Sequence, residues 1–269
     1  MTRAWLLVII AALAVPLASC VNDFNSAPPE PQPQPVRSEK HAYGDHPAQY
    51  GQLTTPTRDQ TADSIPVVVL VHGGFWSEPW DLTLMQPLAD DLVSRGYAVW
   101  NIEFRRLGGQ GGWPNTFDDV SDAIDFLATL SDDYDLDLSR TALVGHSSGG
   151  HLALWALDRA DADVSPIGVV GLGAITDLES FGQSESLLGG TQQQVPDRYL
   201  AAAPILDPDR MRLIHGANDD IVSEATLSAA KHAGLPLTLV ADTDHFDVID
   251  PITTAWDLAL RDIAELLDS

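Results

Sequence analysis

Six short runs of apolar residues, separated by stretches with a helical repeat, set the plan of the chain. The first, residues 66–72, reads PVVVLVH, and 97–102, 141–144, 167–172, 211–214 and 236–240 follow it. A run without polar alternation predicts a strand covered on both faces, as in parallel sheets. Between the runs, 83–95, 117–130, 149–159, 223–233 and 252–267 carry apolar residues at three- and four-residue intervals and are predicted as helices. This alternation specifies an α/β domain with a mainly parallel central sheet and helices on both faces. Residues 44–60 suggest an initial strand with a weak pattern. The stretch 175–204, with its Gly, Ser and Gln, interrupts the rhythm and reads as a short cap segment.

The two ends of the chain differ in kind. Arg3 is followed by an apolar run over 4–17, of the length of a signal-peptide core and short of the ~20 residues of a spanning helix. It ends at Leu17-Ala18-Ser19-Cys20, an apolar residue, two small ones and a cysteine, which resembles the lipobox of bacterial lipoproteins. The expected organisation is a signal peptide over 1–19, a lipidated tether over 20–42 with Cys20 as the lipidation site, and the α/β domain over 43–269. Prolines at 28, 29, 31, 33 and 35 leave the tether little to bury and keep it extended. This organisation places the protein in a bacterial cell envelope, anchored in the membrane by acyl chains.

Charge narrows the partners. The 269 residues include 39 Asp and Glu against 14 Lys and Arg, a net charge of −25, which repels phosphate backbones and speaks against a nucleic-acid partner. One cysteine excludes an internal disulfide and any Cys-based metal cluster.

The candidate chemistry sits at the ends of the predicted strands. The third ends in Gly145-His146-Ser147-Ser148-Gly149-Gly150, a G-x-S-x-G pattern between strand and helix, the setting of a strained turn that presents a serine nucleophile. Ser147 is the candidate, and the N–H of Ser148, just after it, is a candidate oxyanion donor. The first strand leads into His72-Gly73-Gly74-Phe75-Trp76. Two glycines there let an N–H of Gly74 or Phe75 turn toward a substrate oxygen. His72 reads as a structural histidine of that loop. Phe75 and Trp76 read as core or as pocket wall, with Trp76 the candidate for the substrate pocket. After the fifth strand, His215-Gly216-Ala217-Asn218-Asp219-Asp220 offers Asp219, in preference to Asp220, as the carboxylate that orients a base, and His245 after the sixth strand is the candidate base. The order Ser147, Asp219, His245 is the hydrolase order. Glu103, Arg105 and Arg106 read as a structural ion-pair network.

These motifs resemble the α/β-hydrolase fold superfamily, and within it the esterase/lipase and kynurenine formamidase-like group. HGGFW is similar to that group's oxyanion loop, GHSSGGHLA to its elbow and DHFDVI to its histidine loop, while 100–106 and 112–120 look like bacterial feruloyl-esterase-like members. The resemblance implies the α/β-hydrolase fold and cleavage of a small-molecule ester through an acyl-enzyme, with no cofactor. An amide or formamide substrate is the alternative within the same chemistry, and a non-catalytic surface-binding lipoprotein the alternative outside it. The chain departs from the group at Asp244, where many relatives have glycine, and by an expected lack of the N-terminal strands of larger members.

Overall fold

Parallel strands buried on both faces need apolar residues at every position, and the chain supplies them in the middle of one eight-stranded sheet. The computed structural model describes residues 36–57, 63–160 and 162–268. In chain order these form β1 (Val36–Ala42), β2 (Tyr50–Pro56), β3 (Ile65–Val71), α1 (Gln86–Ser94), β4 (Ala98–Ile102), α2 (Asn115–Asp125), α3 (Leu127–Tyr134) and β5 (Leu136–His146). Then come α4 (Ser147–Ala156), β6 (Gly168–Leu172), α5 (Ser184–Leu188), α6 (Pro196–Ala202), β7 (Met211–Gly216), α7 (Ser228–Ala233), β8 (Leu237–Val240) and α8 (Thr254–Leu267). The sheet order is β1-β2-β4-β3-β5-β6-β7-β8. Pairing is parallel from β4 to β8 and antiparallel for β1 with β2 and β2 with β4.

Strand alternation divides the core into two layers. Val67, Val69 and Val71 of β3 point into one layer with Trp100, Phe117 and Leu152, so α2 and α4 cover that face. Val68 and Leu70 point into the other, with Leu88 and Leu92 of α1 and Trp256 and Ile263 of α8. The mainly parallel sheet with helices on both faces, expected from the run pattern, is thus the observed architecture, the α/β-hydrolase fold.

The N-terminal expectation needs correction. Residues 36–42, assigned to the tether, are β1, paired with β2 from Val36 opposite Pro56 to Ala42 opposite Tyr50. The initial strand suggested over 44–60 is present as β2, and β1, which was not expected, joins it in a hairpin at the sheet edge. Its sequence, VRSEKHA, has no apolar run because nearly all of it is exposed. The strand is held by its ladder, by Ser38 bonded to Thr54 at 2.8 Å, and by His41 Nε2 2.8 Å from the Tyr134 hydroxyl. Residues 1–35, with the expected signal peptide, Cys20 and the proline-rich part of the tether, lie outside the described residues. The helix predicted over 117–130 spans two, α2 and α3, and the cap segment contains α5 and α6.

Candidate active site

Ser147 is the first residue of α4, directly after the last residue of β5, and takes φ +54°. A non-glycine residue in the left-handed region is strained and persists only where its surroundings hold it. Close packing of backbone on backbone does so here. A Cβ added at Gly149 would lie 2.2 Å from the carbonyl oxygen of His72 and 2.3 Å from that of Val71. The elbow thus rests directly on the end of β3, and no side chain could move aside to admit a methyl group. Gly149→Ala is expected to cost ~3 kcal/mol or more of stability, read as a lowered urea midpoint. An unchanged midpoint would contradict this packing.

The loop after β3 turns on three successive residues of positive φ: Gly74 at +119°, Phe75 at +58° and Trp76 at +55°. The turn is closed by the Ser77 N–H donating to the Gly74 carbonyl at 2.9 Å. Trp76 ties this loop to the elbow, its backbone N–H donating to Ser148 Oγ at 3.3 Å and its indole N–H to the Ser148 carbonyl at 3.1 Å. Its ring is 1% exposed and meets His151 and Phe181 edge-on. Trp76 is therefore a core residue and a clamp, which corrects its assignment to the substrate pocket. An indole N–H needs a partner when buried, and the Ser148 carbonyl draws it inward. Phe75 is the wall instead: it lines the cleft beside Ser147 and both cavities that adjoin it.

His72 fixes the same loop from below. Its Nδ1–H donates to the Gly73 carbonyl at 2.7 Å, its Nε2 lies 3.2 Å from Glu103 Oε1, and its ring stacks on Phe104. In a trans peptide the next N–H points opposite to the carbonyl, so this bond sets the direction of the Gly74 N–H. Glu103, itself buried, also accepts from the backbone N–H groups of Phe104 and Leu82 and lies 3.2 Å from Arg106 Nε. Arg105 pairs in a two-pronged fashion with fully buried Asp119. The acid and the two arginines thus hold loops in place.

Asp219 lies in the turn after β7. Its Oδ1 accepts from the N–H groups of Ile221 and Val222 at 3.0 and 2.8 Å, while Oδ2 accepts from His245 Nδ1 at 2.6 Å. Burial pushes this carboxyl up, but the bond to His245, the imidazole charge, the Val222 amide and His215 outweigh burial and leave it below the usual carboxylate range. Asp220 is exposed. The His215 ring, buried beside Asp219, closes the turn by donating from Nε2 to the Val222 carbonyl at 2.8 Å.

His245 follows β8 on a loop that its own carboxylates shape: Asp244 Oδ1 accepts from the N–H groups of Phe246 and Asp247. Because Nδ1 of His245 donates to Asp219, Nε2 is left as the acceptor of the neutral ring. His146, whose importance the motif reading missed, donates from Nε2 to the His245 carbonyl at 2.9 Å and lies ring to ring with it at 4.7 Å. Burial, then the neighbouring His245, pull the pKa of His146 down to about 3, so it remains neutral. The available signal was its place in the elbow, next to Ser147. Ser147, His245, Gly74 and Phe75 line one cleft, together with Trp80, Leu84, His146 and Phe246. Of the catalytic and oxyanion candidates, the structure thus places Ser147, His245, Gly74 and Phe75 on one cleft, while Asp219 is buried behind His245, bonded to its Nδ1, and Ser148 is fully buried. There the Ser148 N–H belongs to the first turn of α4 and has no acceptor within that helix.

A serine on a left-handed elbow, a histidine bonded to a buried aspartate and a loop with three residues of positive φ, all at the strand ends of this sheet, form the arrangement of the α/β-hydrolase class. Residues 53–232 match the family model described as BD-FAE, and the chain belongs to that family. Among proteins of similar sequence, Esterase LipC of Mycobacterium tuberculosis (strain ATCC 25618 / H37Rv) is 26% identical over 212 residues, 70% of this chain and 52% of LipC, so the match spans about half the length of that relative. Among solved structures, Esterase B from Lactobacillus rhamnosis (HN001) superposes with a TM-score of 0.73 at 21% identity, covering 88% of this chain and 87% of that one. A truncated carbohydrate esterase from gut microbiota gives 0.72 at 18% identity, covering 91% of this chain and 100% of its own. These two likenesses establish the shared fold.

Proposed function

We propose that the protein hydrolyses carboxylic esters of small-molecule substrates through an acyl-enzyme, with Ser147 as nucleophile, His245 as general base and acid, and Asp219 as the residue that orients the imidazole. The observation that carries this reading is the 2.6 Å bond from His245 Nδ1 to buried Asp219, on a histidine that shares its cleft with Ser147. That bond selects the tautomer whose Nε2 lone pair can accept the Ser147 proton. As Ser147 Oγ bonds to the ester carbon, the carbonyl electron pair moves onto oxygen. The N–H groups of Ser148 and of Gly74 or Phe75 then hold the oxyanion. Collapse of this adduct breaks the carbon–oxygen bond, and the leaving alkoxide takes the proton from His245. Water repeats the sequence on the acyl-enzyme, giving its proton to His245, and release of the carboxylic acid restores Ser147. The site needs no cofactor for these steps. The test is stoichiometric labelling by a fluorophosphonate, mapped by mass spectrometry to Ser147, in a preparation that cleaves p-nitrophenyl acetate. A preparation with neither label nor turnover overturns the reading.

The same proposal extends to location. The segment ending Leu17-Ala18-Ser19-Cys20 supports lipidation at Cys20 and attachment to the membrane of a bacterial envelope. Cells grown with labelled palmitate are expected to label the wild-type protein and not Cys20→Ala. Equal labelling of the two would refute the anchor.

A further inference from the structure

The cleft that holds Ser147 is far tighter than the two spaces that meet it at Phe75, and the inequality bears on which esters fit. This inference rests on the ester-hydrolase reading above. The cleft that holds Ser147 and His245, bounded by Gly74, Phe75, Leu84 and the rings of Trp80 and Phe246, has a volume of about 10 Å³, close to the least that admits one water. On the cap side, the cavity bounded by Phe75, Phe181, Gln183 and Ile221 has about 400 Å³. A further cavity of about 290 Å³ lies between Phe75, Glu78, Gln183 and Ser186, and Trp80 borders it as well as the Ser147 cleft. Phe75 borders all three spaces and so partitions them.

Two aromatic rings roof the narrow side. Trp80 and Phe246 stack with centroids 6.1 Å apart and an interplanar angle of 25°. Their outer surfaces are open to solvent, at 38% and 42% exposure. Neither ring hangs on a free stem. The Trp80 side chain is seated on Gly74, where an added Cβ would fall 2.3 Å from Trp80 Cβ and 2.4 Å from Cγ. Phe246 has its backbone N–H bonded to Asp244 Oδ1 at 2.7 Å and its ring edge-on to His245 at 5.5 Å. One ring comes from the segment after the oxyanion loop and the other from the histidine loop, so the roof joins two parts of the catalytic apparatus.

Chemistry decides which half of the ester meets which space. The leaving oxygen receives its proton from His245, so the alcohol carbon attached to it lies on the His245 side. The acyl substituent, on the opposite side of the carbonyl carbon, faces the cap. We propose that Trp80 and Phe246 are specificity-determining residues that limit the leaving alcohol to methyl or ethyl size, while the space beside Phe75 and Phe181 takes a larger apolar or aromatic acyl group. The substrate class is then short-alcohol esters of larger acids. The wall of Phe75 and Phe181, stacked at 6.3 Å and 12°, offers an aromatic surface to that acyl group.

The experiment measures kcat/KM on two series of esters with the purified full-length protein. One series holds the acid at 3-phenylpropanoate and varies the alcohol through methyl, ethyl, butyl and benzyl. The other holds the alcohol at methyl and varies the acid through acetate, butanoate, hexanoate and 3-phenylpropanoate. A methylene that a pocket cannot place costs about 10-fold or more, so the wild type is expected to prefer methyl over butyl alcohol by at least about 10-fold, with no corresponding fall along the acid series. In Trp80→Ala and Phe246→Ala the butyl-to-methyl ratio should rise by about the same factor while the order of acids is kept. Trp80→Leu and Phe246→Leu, checked by thermal melting, repeat the measurement where an alanine variant fails to fold. Equal cleavage of methyl and butyl esters by the wild type, or variants that change the order of acids and leave the alcohol ratio where it was, would overturn the assignment. A wild type that cleaves no ester in either series overturns the hydrolase reading itself, a different outcome from indifference to the alcohol.

Discussion

Ser147→Ala is expected to lower kcat on a short aryl ester by about 10⁶-fold while leaving the thermal midpoint of unfolding close to that of the wild type. The size follows from the way the proposed triad acts as a unit. His245 and Asp219 have no covalent role of their own, so without the hydroxyl the remaining catalysis comes from the oxyanion donors and substrate binding alone. Stability should change little because the hydroxyl is not a packing group: Ser147 is 2% exposed and faces the cleft. Residue 147 must still adopt φ +54°, and alanine does so at a cost similar to serine's. The readout is a progress curve under substrate saturation together with a melting curve. A loss of less than tenfold would place the nucleophile elsewhere. A large drop in melting temperature would show that the loss of activity reflects unfolding.

The second large effect is expected at Asp219→Asn, where kcat should fall by about 10⁴-fold with the fold intact. Asp219 Oδ1 holds the Ile221 and Val222 amides and Oδ2 faces His245 Nδ1. An asparagine in the same pose keeps its oxygen on the two backbone N–H groups and turns its NH₂ toward the imidazole. Two donors cannot face each other, so Nδ1 becomes the bare nitrogen and the proton moves to Nε2. The ring then presents an N–H to the Ser147 side, where a lone pair is needed. The measurement is kcat on the same ester, with stability checked in urea. Turnover within tenfold of the wild type would mean that Asp219 does not orient the base.

Much of this arrangement was legible because it depends on local and strongly patterned features. The buried strands β3 to β7 announce themselves as apolar runs, since parallel strands covered on both faces have no polar side to show. Ser147, Asp219 and His245 follow from their places at strand ends. What the chain did not disclose depends on long-range contacts. The strand β1 carries the residues of an exposed edge, and its pairing with β2 is visible only in space. Adjacent aromatic residues in a loop carry no sign of which points inward: Trp76 went to the core because the Ser148 carbonyl, 72 positions away, receives its indole N–H, while Phe75 and the more distant Trp80 became the walls. The bond from His146 to the His245 carbonyl spans 99 positions and had no counterpart in any spacing.

The two bonds from Trp76 to Ser148 carry a consequence for how the site meets its substrate. They make the end of β3 and the start of α4 one stiff jaw, so the spacing between the amide of Ser148 and those of Gly74 and Phe75 is set during folding, before any ester arrives. On the proposed mechanism, water would have to reorient around a nascent oxyanion, whereas dipoles bolted to this frame have nothing left to rearrange. In that reading the buried indole of Trp76 serves hydrolysis through the frame alone, without touching the ester.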